Sequence, residues 1–223
     1  MQQLTDTVWT LDYPLSLFGV QLGTRSVVIR LPSGRLVLIG PVRFDDETAR
    51  QIDELGQVDT IVAPNLHHHL FFPAACERWP EARQLVPEGT KQKRDVPETA
   101  TEMAPMGSIE DAVHWHRVEG ASALGEHLFV DSQSGVLVIT DLAFHFQNHD
   151  HWLTRWFLRC YGVYGKFTPS RLIRFLIKDA EAAGESLQRV LEYDWDAVVV
   201  AHGEVIEQGG RERFEEAFER YLA

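Results

Sequence analysis

The stretch Thr60-Ile61-Val62-Ala63-Pro64-Asn65-Leu66-His67-His68-His69-Leu70 is a β-branched run that stops at a proline and gives way to three consecutive histidines. Such a run reads as a buried strand ending in a loop. In an extended chain alternate side chains share a face. Asn65, His67 and His69 are therefore expected to point together, with Leu66, His68 and Leu70 on the other side. Neutral imidazole is the commonest metal ligand, and ligands two residues apart at a strand end can converge on one ion. A metal site here needs further ligands from distant segments.

Two other strong β runs end in such groups. Val136-Leu137-Val138-Ile139-Thr140 leads into Asp141, and Trp195 to Val200 leads into Ala201-His202-Gly203. In layered α/β folds, sites collect at strand ends, where loops bring together residues distant in sequence. An aspartate with two histidines suits zinc, iron or manganese. Taken singly, each residue has a plainer reading: a polar loop at His67 to His69, a helix cap at Asp141, a satisfied core histidine at His202. Their joint placement at three strand ends favours a site.

The rest of the chain supplies a layered scaffold. Residues 7–12 alternate as a first strand. Ser26 to Leu31 and Arg35 to Ile39 form a hairpin about Pro32-Ser33-Gly34. Asp45-Asp46-Glu47 opens a short helix that stops at Gly56. Phe71 to Trp79 reads as a helix and Gln84 to Val86 as a strand. Residues 88–111 read as a long polar surface loop. Strands are expected over Val113 to Val118 and His127 to Val130, and a helix over Asp179 to Tyr193. The closing helix carries Phe214, Ala217, Phe218, Tyr221 and Leu222 on one face. Hairpin-like early strands argue against an all-parallel sheet. The expectation is one domain over 1–223, of class α/β (α+β), as a sandwich of two mixed sheets with helices outside.

Composition narrows the classes. The 223 residues carry a formal charge of −12, with 44% hydrophobic and 24% charged residues, which argues against nucleic-acid binding. Cys76 and Cys160 are too few for a disulfide framework and are expected to be buried reduced thiols. The start of the chain lacks a basic, then apolar, leader and no run approaches the ~20 apolar residues of a membrane span, so a cytoplasmic location is expected. No GxSxG elbow or P-loop occurs.

In the order of these elements the chain resembles the metallo-β-lactamase superfamily: an early hairpin, a strand entering a His-rich loop, a strand ending in aspartate, and a strand ending in His-Gly. The resemblance implies a four-layer αββα sandwich with a metal site along one edge. Asn65-Leu66-His67-His68-His69-Leu70 occupies the register of the family's HxHxDH motif. Asn65 then stands for its first histidine, His69 for its aspartate and Leu70 for its last histidine. The family's intervening histidine falls near Gly120-Ala121, where Ala121 cannot ligate. Ala63-Pro64-Asn65 is similar to a branch of the superfamily with an APN-x-x-HH loop.

The resemblance implies one divalent ion, zinc ahead of iron or manganese, with His69, Asp141 and His202 as ligands and His67 adjacent. His69 and Asp141 are the expected catalytic residues. The reaction implied is metal-assisted hydrolysis of an ester, amide, thioester or phosphoester in a small-molecule substrate. Two other readings stand beside it. One is a non-catalytic relative without metal, acting as a binding or oligomerising module. The other is non-haem iron redox chemistry at the same residues.

His145, His149 and His151 follow Asp141 closely and read as polar-loop residues, or as a spare ligand or general acid. His114 and His116 alternate on one strand face. Between Asp150 and Asp179 six basic residues and no acidic ones are interleaved with seven aromatic rings. This stretch, about 150–178, is expected to form two helices. The first reading is rings in the core with snorkelling arginines, ahead of a lid or homodimer interface, with membrane-surface contact the least favoured.

Overall fold

Alternation along the strands sorts the apolar residues into three separate cores, and two sheets follow from that sorting. The computed structural model describes residues 1–223, the side chain of Lys93 excepted. The first sheet runs Gln2–Gln3, Val8–Tyr13, Thr24–Arg30, Leu36–Ile39, Val58–Val62, Arg83–Val86, Thr101–Glu102. The second runs Met106–Ile109, Val113–Arg117, His127–Asp131, Val136–Ile139, Ala197–Val200. Both are mixed. The first turns parallel after Leu36–Ile39, and the second is antiparallel until its last pair.

Val27, Ile29, Val37, Ile39 and Val62 face Phe129, Val136, Val138 and Val199 between the sheets. Their neighbours in sequence point outward. Val28, Leu36, Leu38 and Ile61 pack under the helices Asp46–Leu55 and Phe72–Arg78. Leu128, Val130, Leu137, Ile139, Val198 and Val200 pack under Leu158, Leu187, Phe214 and Phe218 of the helices on the opposite side. Four layers, αββα, result. Each fully buried branched side chain contributes about 1.5–3 kcal/mol, so a one-residue slip in any central strand would be strongly disfavoured.

Residues 88–111 depart from the expected loop. They hold a short helix, Thr90–Lys93, and the strands Thr101–Glu102 and Met106–Ile109 at the borders of the two sheets. Thr101, Glu102 and Met106 are exposed, so these strands needed no apolar alternation to form and left no signal. Cys76 is buried as expected and Cys160 is exposed.

The 150–178 stretch forms the helices Trp152–Tyr161 and Arg171–Leu176. Its rings are not all core: Trp152, Trp156 and Phe175 are 68%, 60% and 69% exposed. Only one flank of the first helix is covered, by Thr154 and Leu158, and there Gln21 N donates to Thr154 Oγ1 at 3.0 Å. The hairpin Ser16–Leu17/Val20–Gln21 thus lies against this helix. Among the described residues no helix is long and apolar enough to cross a membrane.

The registers Ile39 with Val62 and Ile139 with Val200 align the carboxyl ends of four central strands. The loops that follow two of the four, together with the turn after Val62, build the site.

Candidate metal centre

After Val62 the chain does not stay extended. The Asn65 side chain is fully buried, and its Oδ1 accepts from both His67 N and His68 N at 2.8 Å. An asparagine that captures the amides two and three residues on closes an Asx-type turn. That curl overturns the expected alternation. It turns His68 toward Asp141 and His202, whereas His67 is exposed and His69 is half-buried elsewhere on the same cavity wall.

His68 Nε2, His202 Nε2 and Asp141 Oδ1 stand at the corners of a triangle whose three sides are each 3.3 Å. Among the described residues this is the one group of three or more His, Cys, Asp or Glu gathered at ligand spacing. Asp141 and His202 are the residues expected at these strand ends. His67 and His69 do not join them.

The three ligand atoms are held from behind. His202 Nδ1 donates to Gly23 O at 2.7 Å, which turns its Nε2 toward Asp141. Asp141 Oδ2 accepts from Asn65 Nδ2 at 2.9 Å, leaving Oδ1 to the triangle. Arg25 donates to Val200 O and Gly203 O, both at 2.9 Å, and pairs with Asp12, bracketing the His202 loop. At Gly203 (φ +104) an added Cβ would lie 2.0 Å from His145 O, so the residue after His202 must be glycine.

Glu126 is the residue that strand-end reasoning missed. It is fully buried, and its Oε1 accepts from Thr140 N at 2.7 Å, Thr140 Oγ1 at 2.6 Å and Asp141 N at 3.1 Å. Its Oε2 accepts from Asn65 Nδ2 at 2.6 Å. The carboxylate takes up amides at the end of Val136–Ile139 that no strand pairs. A signal existed: period two places Glu126 on the same face as Leu128 and Val130, which is a core face.

The electrostatics concentrate charge here. Burial opposes ionisation of Asp141, but the His68 and His202 rings outweigh it and hold the carboxyl well below its usual range. Burial likewise opposes a proton on His68, and Asp141 outweighs it, raising that histidine's pKa. Burial and the Asp141 charge push Glu126 up, while Thr140 and Asn65 donors pull it back. His69 is held neutral, by burial first and then by Arg94.

The nearby histidines go elsewhere. His145 Nδ1 bonds Glu204 O at 2.9 Å, His149 Nδ1 accepts from His151 N, and His151 Nδ1 meets Thr154 Oγ1. His114 and His116 do share a face, with both rings against Tyr193. Ala121, at the position where a further histidine was absent, is fully buried.

A cavity of about 720 Å³ opens over the triangle. Its walls come from the 15–22 hairpin, the 67–71 turn, Phe144 and the helix Trp152–Tyr161. Phe144 stacks on the His202 ring at 5.6 Å, and Tyr161 meets Phe144 edge-on.

A carbonyl oxygen can only accept, so His202 Nδ1 carries a proton and Nε2 is the ring nitrogen turned to Asp141. Nε2 lies 3.3 Å from Asp141 Oδ1. Two ring nitrogens and a carboxylate oxygen so close share a cation, either a ring proton or a metal ion. A tetrahedral ion with bonds of about 2.0–2.1 Å sets its ligand atoms about 3.3–3.4 Å apart, which the triangle matches. The donor set therefore fits a metal ion.

Residues 5–92 match a family described as a domain of unknown function (DUF4336). No curated protein matches the chain. Among solved structures, a metallo-β-lactamase from Pontibacter korlensis aligns over 99% of this chain and 97% of its own, with TM-score 0.65 and 13% identity. VMB-1 aligns over 99% and 95%, with TM-score 0.68 and 12% identity. The metallo-β-lactamase FIM-1 from Pseudomonas aeruginosa, in a mono-zinc form, aligns over 99% and 93%, with TM-score 0.65 and 12% identity. Likeness at this identity is likeness of fold, and the fold expected from the sequence is the one found.

Proposed function

We propose that this chain, which has the metallo-β-lactamase fold, is a hydrolase that holds one divalent ion between His68, Asp141 and His202. The observation that carries the proposal is the 3.3 Å triangle at the base of a cavity. The spacing supports zinc. A right-angled octahedral set at the same bond length would draw neighbouring ligands to about 2.9 Å. Bound there, the ion would supply Lewis acidity and a water acidified toward ~7.

The chain's own groups complete the chemistry. Asn65 and Gly23 O orient Asp141 and His202 so that Oδ1 of one and Nε2 of the other point inward. His69 lines the cavity as a neutral ring that can accept a proton from the attacking water. Its role as proton acceptor replaces its expected role as ligand. Tyr161 lines the same cavity, and burial and Asp141 raise its pKa, so its phenol keeps the O–H that can donate to a substrate oxygen. The free thiols Cys76 and Cys160 fit a reducing compartment such as the cytoplasm.

The test is elemental analysis of protein purified without a His-tag. One equivalent of zinc, lost in Asp141→Ala and His202→Ala, and ester hydrolysis abolished by chelation and restored by zinc, are expected. An intact fold that takes up no metal after supplementation overturns the proposal in favour of a non-catalytic module.

A further inference from the structure

The polar groups of the cavity gather at one end. Thr24 follows Gly23, whose carbonyl binds His202, and Tyr161 reaches His202 through Phe144. The rest of the wall is apolar: Leu15, Val20 and Leu22 from the hairpin face Leu153, Trp156 and Phe157 from the helix. Hairpin and helix are in direct contact at Gln21 and Thr154, so this wall is a built surface. Among the described residues no lysine or arginine lines the cavity, although six basic residues lie between Asp150 and Asp179. The long apolar wall therefore offers no guanidinium or ammonium to a phosphate or carboxylate.

The apolar surface also continues outward. Leu17, Phe18, Leu70 and Trp156 line the cavity and are nevertheless 49%, 103%, 67% and 60% exposed. Phe18 and Gly19, at φ +51 and +81, are the two central residues of the turn between Leu17 and Val20, where a tight hairpin requires positive φ at both. A cavity of this size can enclose a drug-sized or lipid-like molecule, within the usual range of about 300–1,000 Å³.

We infer that the site takes an uncharged carboxylic ester with a long apolar acyl chain. The ester carbonyl lies at the His68–Asp141–His202 end and the chain lies between the 15–22 hairpin and the helix Trp152–Tyr161. This rests on the hydrolase reading above. In the reaction the water oxygen bonds to the acyl carbon and the acyl carbon–oxygen bond breaks. The water's proton passes to the departing oxygen, giving one carboxylic acid and one alcohol.

Two measurements on the full chain test it. Binding of uncleavable methyl ketones with six to twelve carbons, read by calorimetry on the metal-free protein, is expected to tighten about threefold per added methylene until the cavity fills. On zinc-loaded protein, kcat/KM for p-nitrophenyl esters is expected to rise at least 30-fold from acetate to octanoate, with p-nitrophenyl phosphate left uncleaved. Leu153→Trp, which fills the apolar wall, is expected to flatten both series. Acetate and octanoate esters cleaved equally well, with ketone affinity independent of length, would overturn the inference and leave the hydrolase reading standing. Ketone affinity that rises with length, with no ester cleaved, supports the apolar chain site and overturns the hydrolase reading instead.

Discussion

Asn65 Nδ2 lies 2.6 Å from Glu126 Oε2, and both residues are fully buried. The same nitrogen is 2.9 Å from Thr140 Oγ1 and 2.9 Å from Asp141 Oδ2. One amide thus joins the turn after Val62 to the end of Val136–Ile139, while its oxygen shapes the turn that aims His68. Asn65 is a clamp that holds the His68 turn against Asp141.

Asn65→His is therefore expected to break the site. Imidazole cannot reproduce the donors to Glu126, Thr140 and Asp141 together with the acceptor for two backbone amides. Leaving these buried groups unsatisfied costs about 3 kcal/mol or more. Urea unfolding and zinc content would both fall. A variant of unchanged stability that binds a second ion would contradict this.

Gly203→Ala is expected to cost about 2–4 kcal/mol, since the methyl would meet His145 O and the backbone stays at φ +104. Because Gly203 also sets the path of the His202 loop, zinc affinity should fall with stability. Thermal melts with and without zinc check both.

His127 is fully buried, and burial, more than its bond to Gly125 O can offset, lowers its pKa to about 4. The unfolded chain takes up this proton near pH 6.5 and the folded protein does not. Stability is full above about 6.5 and falls as pH drops toward 4, by about 3 kcal/mol for a shift of this size. His127→Gln is expected to remove that acid-side loss, measured as urea midpoints from pH 4 to 7.

His68 works in the opposite direction. Its pKa is raised in the folded, metal-free protein, with Asp141 outweighing burial. A group so shifted stabilises below its unfolded pKa, about 6.5, and that stability is lost as pH rises through the folded value. Metal-free protein should thus melt lower at pH 8.5 than at 6.5. Zinc-loaded protein should show the reverse trend, because the ion needs the deprotonated ring. Parallel melts in chelator and in zinc decide it.

The layers were legible in the sequence because the central strands are continuous apolar, β-branched runs, buried on both faces: Val27 and Ile29 to one side, Val28 to the other. Asp141 and His202 were legible for the same reason, each following a run that can only be a central strand. The choice among His67, His68 and His69 was not. It depends on one side chain, Asn65, closing a turn where extended geometry was the simplest reading. Glu126 was hidden because a charged residue beside Gly125 reads as loop until Thr140 and Asp141 are known to converge on it. The exposed Trp152, Trp156 and Phe175 were misplaced in the core since composition cannot say which flank of a helix is covered.

The most direct measurement is a crystal structure of zinc-soaked protein with data collected at the zinc absorption edge. The account expects a single anomalous peak about 2.0–2.1 Å from His68 Nε2, His202 Nε2 and Asp141 Oδ1. A peak held by His67 or His69, or no peak beside Asp141, would contradict it.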